Sequence, residues 1–340
     1  MKAAPVLRAL AGAGLRQELV HTGQHYDANM SEVFFRQLDI PPPNINLEVG
    51  SSSHARQTAA IMTGLESIIT ETRPRLVIVY GDVNSTVAAA LVCAKLLVPL
   101  AHVEAGLRSH DRAMPEEINR LVTDQLSDLL FTPSKDGDEN LAREGIPADR
   151  IYLVGNVMID TLVHLLPRAL ELDPAGYPPR YALVTLHRPS NVDDPDRLRS
   201  ILTSMIEISK QLPVVFPVHP RTRQRIAQFG LDPSGLQFCE PVPYLEFLAL
   251  QARAQIVITD SGGIQEETTF LGVPCLTMRN NTERPVTIEL GTNILVGDDL
   301  EKLRAEFTNV LEGRRKQGAI PPLWDGHASE RIAHVLKDRL

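Results

Sequence analysis

Cysteine is scarce, with only Cys93, Cys239 and Cys275 in the chain. The number is odd, no Cys-x-x-Cys pair occurs, and all three sit in apolar surroundings. That excludes a disulfide-stapled scaffold and points to a reducing cytosol. No run of 18 clean apolar residues exists. The nearest, 87–103, contains Lys95, His102 and a proline, so no membrane span is expected. Among ten histidines there is no His-Glu-x-x-His and no paired Cys/His spacing, so no metal is expected. A Gly-x-x-x-x-Gly-Lys-Ser/Thr phosphate loop is also missing. Positive charge is in deficit, at 34 Lys and Arg against 42 Asp and Glu, a net charge of −8. Nucleic acid and anionic membranes are therefore excluded as main partners, while a local arginine cluster leaves a small anionic substrate open. No internal repeat or low-complexity tract is evident.

What is present is ample core-forming material, 43% hydrophobic over 340 residues, which is too long for one typical domain and suggests two. The opening Met1-Lys2 and its Ala- and Leu-rich sequel faintly resemble a secretory signal. Arg8 interrupts the apolar region, and Val6, Leu7, Leu10 and Leu15 fit one helical face, so a helix over 4–13 is expected.

Strand-like and helical runs then alternate, which predicts parallel sheets with crossover helices. The first half reads as strands near 17–22, 76–80, 100–103 and 129–132. Helices are predicted near 31–38, 55–72, 85–97, 115–126 and 135–144. The run 172–179, rich in Pro and Gly, breaks periodicity and reads as a linker or long loop. The second half reads as strands at 181–186, 214–218, 255–258 and 275–278, with helices at 196–210, 222–229, 244–251, 264–271 and 300–311. The expected fold class is α/β, with two Rossmann-like doubly wound domains and a cleft between them. Such a domain normally begins on a strand, so a chain that opens on a helix is expected either to lack that strand or to start downstream of the natural beginning.

Polar motifs follow the apolar runs, where open α/β sheets bind ligands. Asp82, Glu104 and Glu116 follow or neighbour successive strands. Crowded carboxylates have raised pKa values and can move protons. Asp82 with Ser85, and Glu116 with Glu117, also read as ordinary helix starts, an account that does not cover Glu104. His187-Arg188 and His219 end strands and read equally as ligand contacts or as structural histidines. Ser261-Gly262-Gly263, between a strand and a helix, offers unpaired N–H groups to a phosphate or serves as a plain turn with a serine cap. Gly272 stands where a helix C-terminal glycine belongs. Arg279 and Arg284 can clamp a diphosphate or be solvated loop charges. Glu266 and Glu267, in a first helical turn, favour the dipole or accept from a ribose diol.

Together the motifs resemble the non-hydrolysing UDP-N-acetylglucosamine 2-epimerases. The matching segments are Thr22-Gly23-Gln24-His25, Gly81-Asp82, His102-Val103-Glu104-Ala105-Gly106-Leu107-Arg108, Pro115-Glu116-Glu117-Ile118-Asn119-Arg120 and Gly155-Asn156-Val157-Met158-Ile159-Asp160. His187-Arg188, Pro217-Val218-His219-Pro220, Thr259-Asp260-Ser261-Gly262-Gly263-Ile264-Gln265-Glu266-Glu267 and Thr282-Glu283-Arg284-Pro285 continue the match.

The resemblance implies a glycosyltransferase-B-like pair of domains. The first spans 1–165 plus 326–340 and carries the acids; the second spans 166–325 and binds UDP. It implies a cytoplasmic homodimer without cofactor or metal, and a terminal helix beginning near 326 that packs back on the first domain. The implied reaction interconverts UDP-N-acetylglucosamine and UDP-N-acetylmannosamine, for surface polysaccharide, through elimination of UDP to a glycal and readdition. Asp82, Glu104 and Glu116 would handle protons at C2, and His187 would stabilise the departing diphosphate. Ser261, Gly262 and Gly263 would hold phosphate, Glu267 the ribose, and Arg284 the diphosphate or uridine side. Phe247 would pack by the uracil, and Lys2, Arg120 and Arg279 would join the substrate contacts.

Family members open with a strand and a Gly-Thr-Arg-Pro-Glu loop, of which only the end is matched here, by Lys2-Ala3-Ala4-Pro5. Poor activity or poor folding is expected if this chain is the whole protein, and a misplaced start is the preferred explanation. Ser190 stands where many members carry Glu. His25-Tyr26 departs from the His-Arg of members with a second, regulatory substrate site. Alternatives within reach are a UDP-2,3-diacetamido-uronate 2-epimerase, a retaining glycosyltransferase of the same architecture, and a non-catalytic UDP-sugar binder.

Overall fold

The computed structural model describes every residue except 24–34, 36, 174, 175 and 340. The chain divides into two compact units, Met1–Val163 with Pro322–Leu340, and His164–Pro321.

The first unit contains α1 (Ala3–Gly12), β1 (Val20–His21), β2 (Ile45–Asn46), α2 (His54–Thr72), β3 (Val77–Tyr80) and α3 (Asn84–Leu96). It continues with β4 (Leu100–Val103), α4 (Pro115–Leu126), β5 (Leu129–Thr132), α5 (Lys135–Arg143), β6 (Ile151–Leu153) and the start of α6 (Val157–Glu171). β3 to β6 form a parallel sheet in sequence order, and β1 pairs with β2 as a separate parallel pair. Successive side chains alternate between faces. Ala101, Val103, Leu129 and Phe131 pack with Val6 and Leu10 of α1, while Val79 and Leu100 pack with Ile61 and Leu65 of α2 and with α3.

The second unit contains β7 (Ala182–Thr185), α7 (Pro189–Val192), α8 (Pro195–Ser209), β8 (Val214–Pro217), α9 (Pro220–Gln228), β9 (Gln237–Cys239) and α10 (Tyr244–Arg253). After these come β10 (Ile256–Thr259), α11 (Gly262–Leu271), β11 (Cys275–Thr277), α12 (Pro285–Glu289), β12 (Asn293–Leu295) and α13 (Leu300–Leu311). Its six parallel strands run β12-β11-β10-β7-β8-β9. Such a sheet has the doubly wound form of dinucleotide-binding domains, and its switch point lies between β7 and β10, the neighbours from which the chain proceeds in opposite directions. Both faces are covered, so β7, β8 and β10 run apolar up to Thr185, Pro217 and Thr259 at their ends. Ala182, Val184, Ile256 and Ile258 meet α8 and α13 on one side, and Leu183, Val257 and Val215 meet Leu250 of α10 on the other. The chain then returns to the first unit as α14 (Ala328–Arg339), whose Ile332 and Leu336 join the core formed with α1.

Local chemistry sets several boundaries. Pro195 opens α8 and the Asp194 side chain accepts from the Arg197 amide at 2.7 Å, an N-cap. Gly272 closes α11 at φ +69°. The strand expected at 17–22 is only two residues long, and most of the helix expected near 31–38 lies outside the described residues. β2, β6, β9 and β12 have three residues or fewer, too short for alternation to show. α6 carries Pro167 in its interior, a residue that normally argues for an end. Among the described residues no helix is long and apolar enough to cross a membrane.

Candidate active site

In the first unit, β3 and β4 are neighbours with Tyr80 opposite Val103, so their loops emerge side by side. Gly81 takes φ +67°, and a Cβ there would lie 2.5 Å from Lys2 Nζ and 3.2 Å from Glu104 Oε2. A side chain would be strained at that φ and would press on the Lys2–Glu104 ion pair. Glu104 is buried and holds φ +74°. Such a left-handed conformation at a residue with a long side chain is strained, and strain of that kind collects at functional sites.

Asp82 does not cap α3. The cap position is Val83, without a side-chain bond, and Ser85 Oγ lies 2.7 Å from Thr22 Oγ1. Asp82 instead ion-pairs with Arg120 Nη1, and Asn119 Nδ2 donates to the Asp82 carbonyl at 2.9 Å. Arg120 is only 2% exposed and also donates through Nη2 to Glu117 Oε2 at 2.7 Å. Glu117 accepts from the amide and hydroxyl of Ser109, each at 2.9 Å, and from the His110 amide at 3.0 Å. Burial pushes its carboxyl up, but these donors and Arg120 outweigh that and hold it below the usual range. Glu116 sits half-buried in the first turn of α4, with no hydrogen bond or ion pair among the described residues. In the sequence Glu117 reads as part of a helix start and of a matched segment, without a role. Its i,i+3 spacing to Arg120 was the available signal.

In the second unit, His187 leaves β7 and Asp260 leaves β10, flanking the switch point. Asp260 is fully buried. It pairs with His187 Nδ1 at 3.0 Å and accepts from the Arg188 amide at 2.9 Å and Asn191 Nδ2 at 3.1 Å. Burial alone would raise its carboxyl; His187 and these donors hold it below its ordinary value. With Nδ1 fixed on a carboxylate, Nε2 is left for other contacts, and the side chain is 41% exposed. In the sequence Asp260 stands in a matched segment but has no role assigned; the fold makes it the partner of His187. His219 has its ring centroid 5.6 Å from that of His187. Its Nδ1 accepts from the Arg221 amide at 3.2 Å and caps α9, and burial, then His187, lowers its pKa.

Ser261 occupies the N-cap of α11 without a side-chain cap bond, so the serine-cap reading fails. Gly262 opens that helix, where a Cβ would lie 2.6 Å from Arg284 Nη1 and 2.7 Å from Glu283 Oε1. Gly263 follows in the same first turn, where helical N–H groups have no intrahelical partner. Arg284 pairs with Glu283 and, at 2.9 Å, with Glu266. Arg279 Nη2 donates to Glu283 Oε2 at 2.7 Å, while its buried Nη1 has no hydrogen-bond partner among the described residues. The two arginines hold the Glu283 carboxyl far below its usual range against the effect of burial. Glu267 accepts from the Tyr244 hydroxyl at 2.7 Å, and burial pushes its carboxyl up to about 7. Phe247 is half-buried on α10 against the core. Among the described residues no group of three His, Cys, Asp or Glu side chains is placed to hold a metal ion.

A Rossmann-like sheet with a histidine–aspartate pair and a glycine-fronted helix at its switch point, together with a second parallel unit carrying acids at its strand ends, defines an α/β enzyme of the glycosyltransferase-B-like class. The family model for UDP-N-acetylglucosamine 2-epimerase matches residues 8–337. The UDP-N-acetylglucosamine 2-epimerase of Methanocaldococcus jannaschii is 41% identical over 99% of this chain and 95% of its own length. The crystal structure of the Methanocaldococcus jannaschii enzyme in complex with UDP-GlcNAc and UDP superposes with a TM-score of 0.91, covering 99% and 96% of the two chains. The enzyme of that name from Neisseria meningitidis, bound to UDP-GlcNAc, gives a TM-score of 0.90 at 29% identity, over 99% and 96% of the chains. A UDP-2,3-diacetamido-2,3-dideoxy-D-glucuronate 2-epimerase from Pseudomonas aeruginosa is 44% identical over 95% of this chain and 91% of its own. The chain belongs to the UDP-N-acetylglucosamine 2-epimerase family.

Proposed function

We propose that this protein is a UDP-N-acetylglucosamine 2-epimerase, interconverting UDP-GlcNAc and UDP-ManNAc without hydrolysis. One observation carries the reading: His187, fixed on buried Asp260, flanks the switch point together with the glycine-fronted start of α11. That arrangement suits a leaving diphosphate, because fixed dipoles and cations act where charge develops. Gly262, Gly263 and Arg279 receive the diphosphate with Ser261 and Arg284. Glu267 takes the ribose and Phe247 the uracil.

The C2 hydrogen is not acidic, so a carboxylate removes it as the C1–O bond breaks. The C2–H electron pair becomes the C1=C2 bond of a glycal, and UDP leaves with the C1–O pair. Protonation at C2 from the opposite face and return of the same UDP oxygen to C1 complete an isomerisation with nothing gained or lost. Asp82, Glu104 and Glu116 are assigned these proton transfers. Lys2 pairs with Glu104, and Arg120 holds Asp82 rather than substrate. The first unit thus supplies acid/base residues and the second binds UDP.

Incubation with UDP-GlcNAc in heavy water is expected to place deuterium at C2 of both epimers, read by NMR. An unlabelled C2 would refute epimerisation and favour a glycosyltransferase. A second reading rests on the 44% identity to the diacetamido-glucuronate enzyme; labelling of that sugar nucleotide and not of UDP-GlcNAc would establish it. The family resemblance also supports a cytoplasmic homodimer serving cell-surface polysaccharide synthesis. The free cysteines fit a reducing compartment, and sedimentation would report the dimer.

A further inference from the structure

Behind the two strand-end loops of the first unit runs a row of buried ions that no step of this chemistry uses. His102, in β4, is fully buried. Its Nδ1 lies 2.6 Å from Asp124 Oδ1 and its Nε2 lies 2.8 Å from the Gly81 carbonyl oxygen. Both ring nitrogens are thus within hydrogen-bond distance of a partner oxygen. The other oxygen of Asp124 accepts from the Gly106 amide at 3.1 Å and pairs with Arg108 Nη2 at 2.7 Å. Arg108 is closed from behind by Glu144, through Nε to Oε1 at 2.7 Å and Nη2 to Oε2 at 2.6 Å.

The row has two ends that matter. Gly81 precedes Asp82, and Gly106 stands two residues after Glu104. The His102–Asp124 pair therefore ties down both loops that carry the assigned acids. His102 and Asp124 are each 0% exposed, so neither touches substrate. Burial would raise the Asp124 carboxyl, but His102 and Arg108 keep it below its ordinary value. A buried ion pair is weak evidence of stabilisation in itself, since apolar groups of similar volume often serve as well. What this pair does that apolar groups cannot is bond two backbone groups in different loops at once.

We propose that His102 and Asp124 are positioning residues, holding the Asp82 and Glu104 loops in register for proton transfer at C2. The proposal rests on the epimerase reading. A displacement of about 1 Å at reacting groups costs on the order of a hundredfold in rate.

The test compares His102→Gln and Asp124→Asn with Leu336→Ala, a core variant of α14 in the same unit that loses packing only. Both polar variants are expected to lose roughly a hundredfold in kcat, with KM for UDP-GlcNAc and Kd for UDP within about threefold of wild type. Leu336→Ala is expected to lose as much Tm or more while keeping its kcat. A kcat near wild type in both polar variants, or an equal loss in Leu336→Ala at matched Tm, overturns the proposal. Should the polar variants fail to fold, Arg108→Lys, one step back in the row, carries the test. A lower kcat at unchanged KM supports the proposal, and an unchanged kcat overturns it. Wild-type protein without C2 exchange would sink the epimerase reading itself, which separates the two failures.

Discussion

Asp82 and Glu267 are carboxylates in contrasting surroundings. Asp82 is oriented by its ion pair with Arg120, a cation that is itself held in place by Glu117. Asp82→Asn is expected to lower kcat by about 10² to 10⁴-fold, the usual contribution of a positioned acid or base, as measured by C2 deuterium exchange. Glu267 has burial against it, and its carboxyl titrates at about 7 in the fold against 4.5 for the ordinary group. The folded protein therefore keeps a proton that the unfolded chain loses between these values. Stability falls as pH rises through that window, by on the order of 3 kcal/mol, with the loss complete above about pH 7. Urea midpoints of the ligand-free protein from about pH 4.5 to about pH 8 are expected to show this decline, and Glu267→Gln to remove that part of it.

At the scale of elements, α11 works through what its first turn lacks. A methyl group at Gly262 would press on Arg284 and Glu283, side chains that are themselves buried and ion-paired and so cannot move away cheaply. Gly262→Ala is expected to weaken UDP binding at least tenfold by calorimetry while helix content by circular dichroism stays unchanged, since alanine favours helix over glycine. Much of this element was legible in the sequence. The strand-to-helix change, Ser261-Gly262-Gly263 and the closing Gly272 each have a local signature. The partners of Asp82 were not legible, because a carboxylate before a helix reads as a cap, and only the fold brings α4 and its Arg120 to the end of β3. The pairing of Asp260 with His187 was not legible for the same reason: nothing local says that His187, 73 residues earlier, ends the adjacent strand. Short strands such as β6 escaped because three residues carry no readable alternation, and α6 because Pro167 masks its period.

For the whole molecule, the proposed division of labour makes ligand binding and chemistry separable. On the proposed assignment UDP engages residues of the second unit, so it should protect the fold whether or not the acids of the first unit are intact. At a hundred times its dissociation constant a ligand adds about 2.7 kcal/mol. UDP is expected to raise the melting temperature of wild type and Asp82→Asn by the same amount. Protection of wild type alone would show that Asp82 takes part in UDP binding.

The backbone at Glu104 carries one further consequence. At φ +74° that position would suit glycine, or asparagine, better than the residue it has. Glu104→Gly should melt higher than wild type, relief of strain exceeding the lost Lys2 pair, while C2 exchange disappears. Heat resistance and turnover thus pull this codon in opposite directions. A library screened only for survival at high temperature should drift toward the inert sequence there, and retention of glutamate under such a screen would show that the strain is compensated elsewhere.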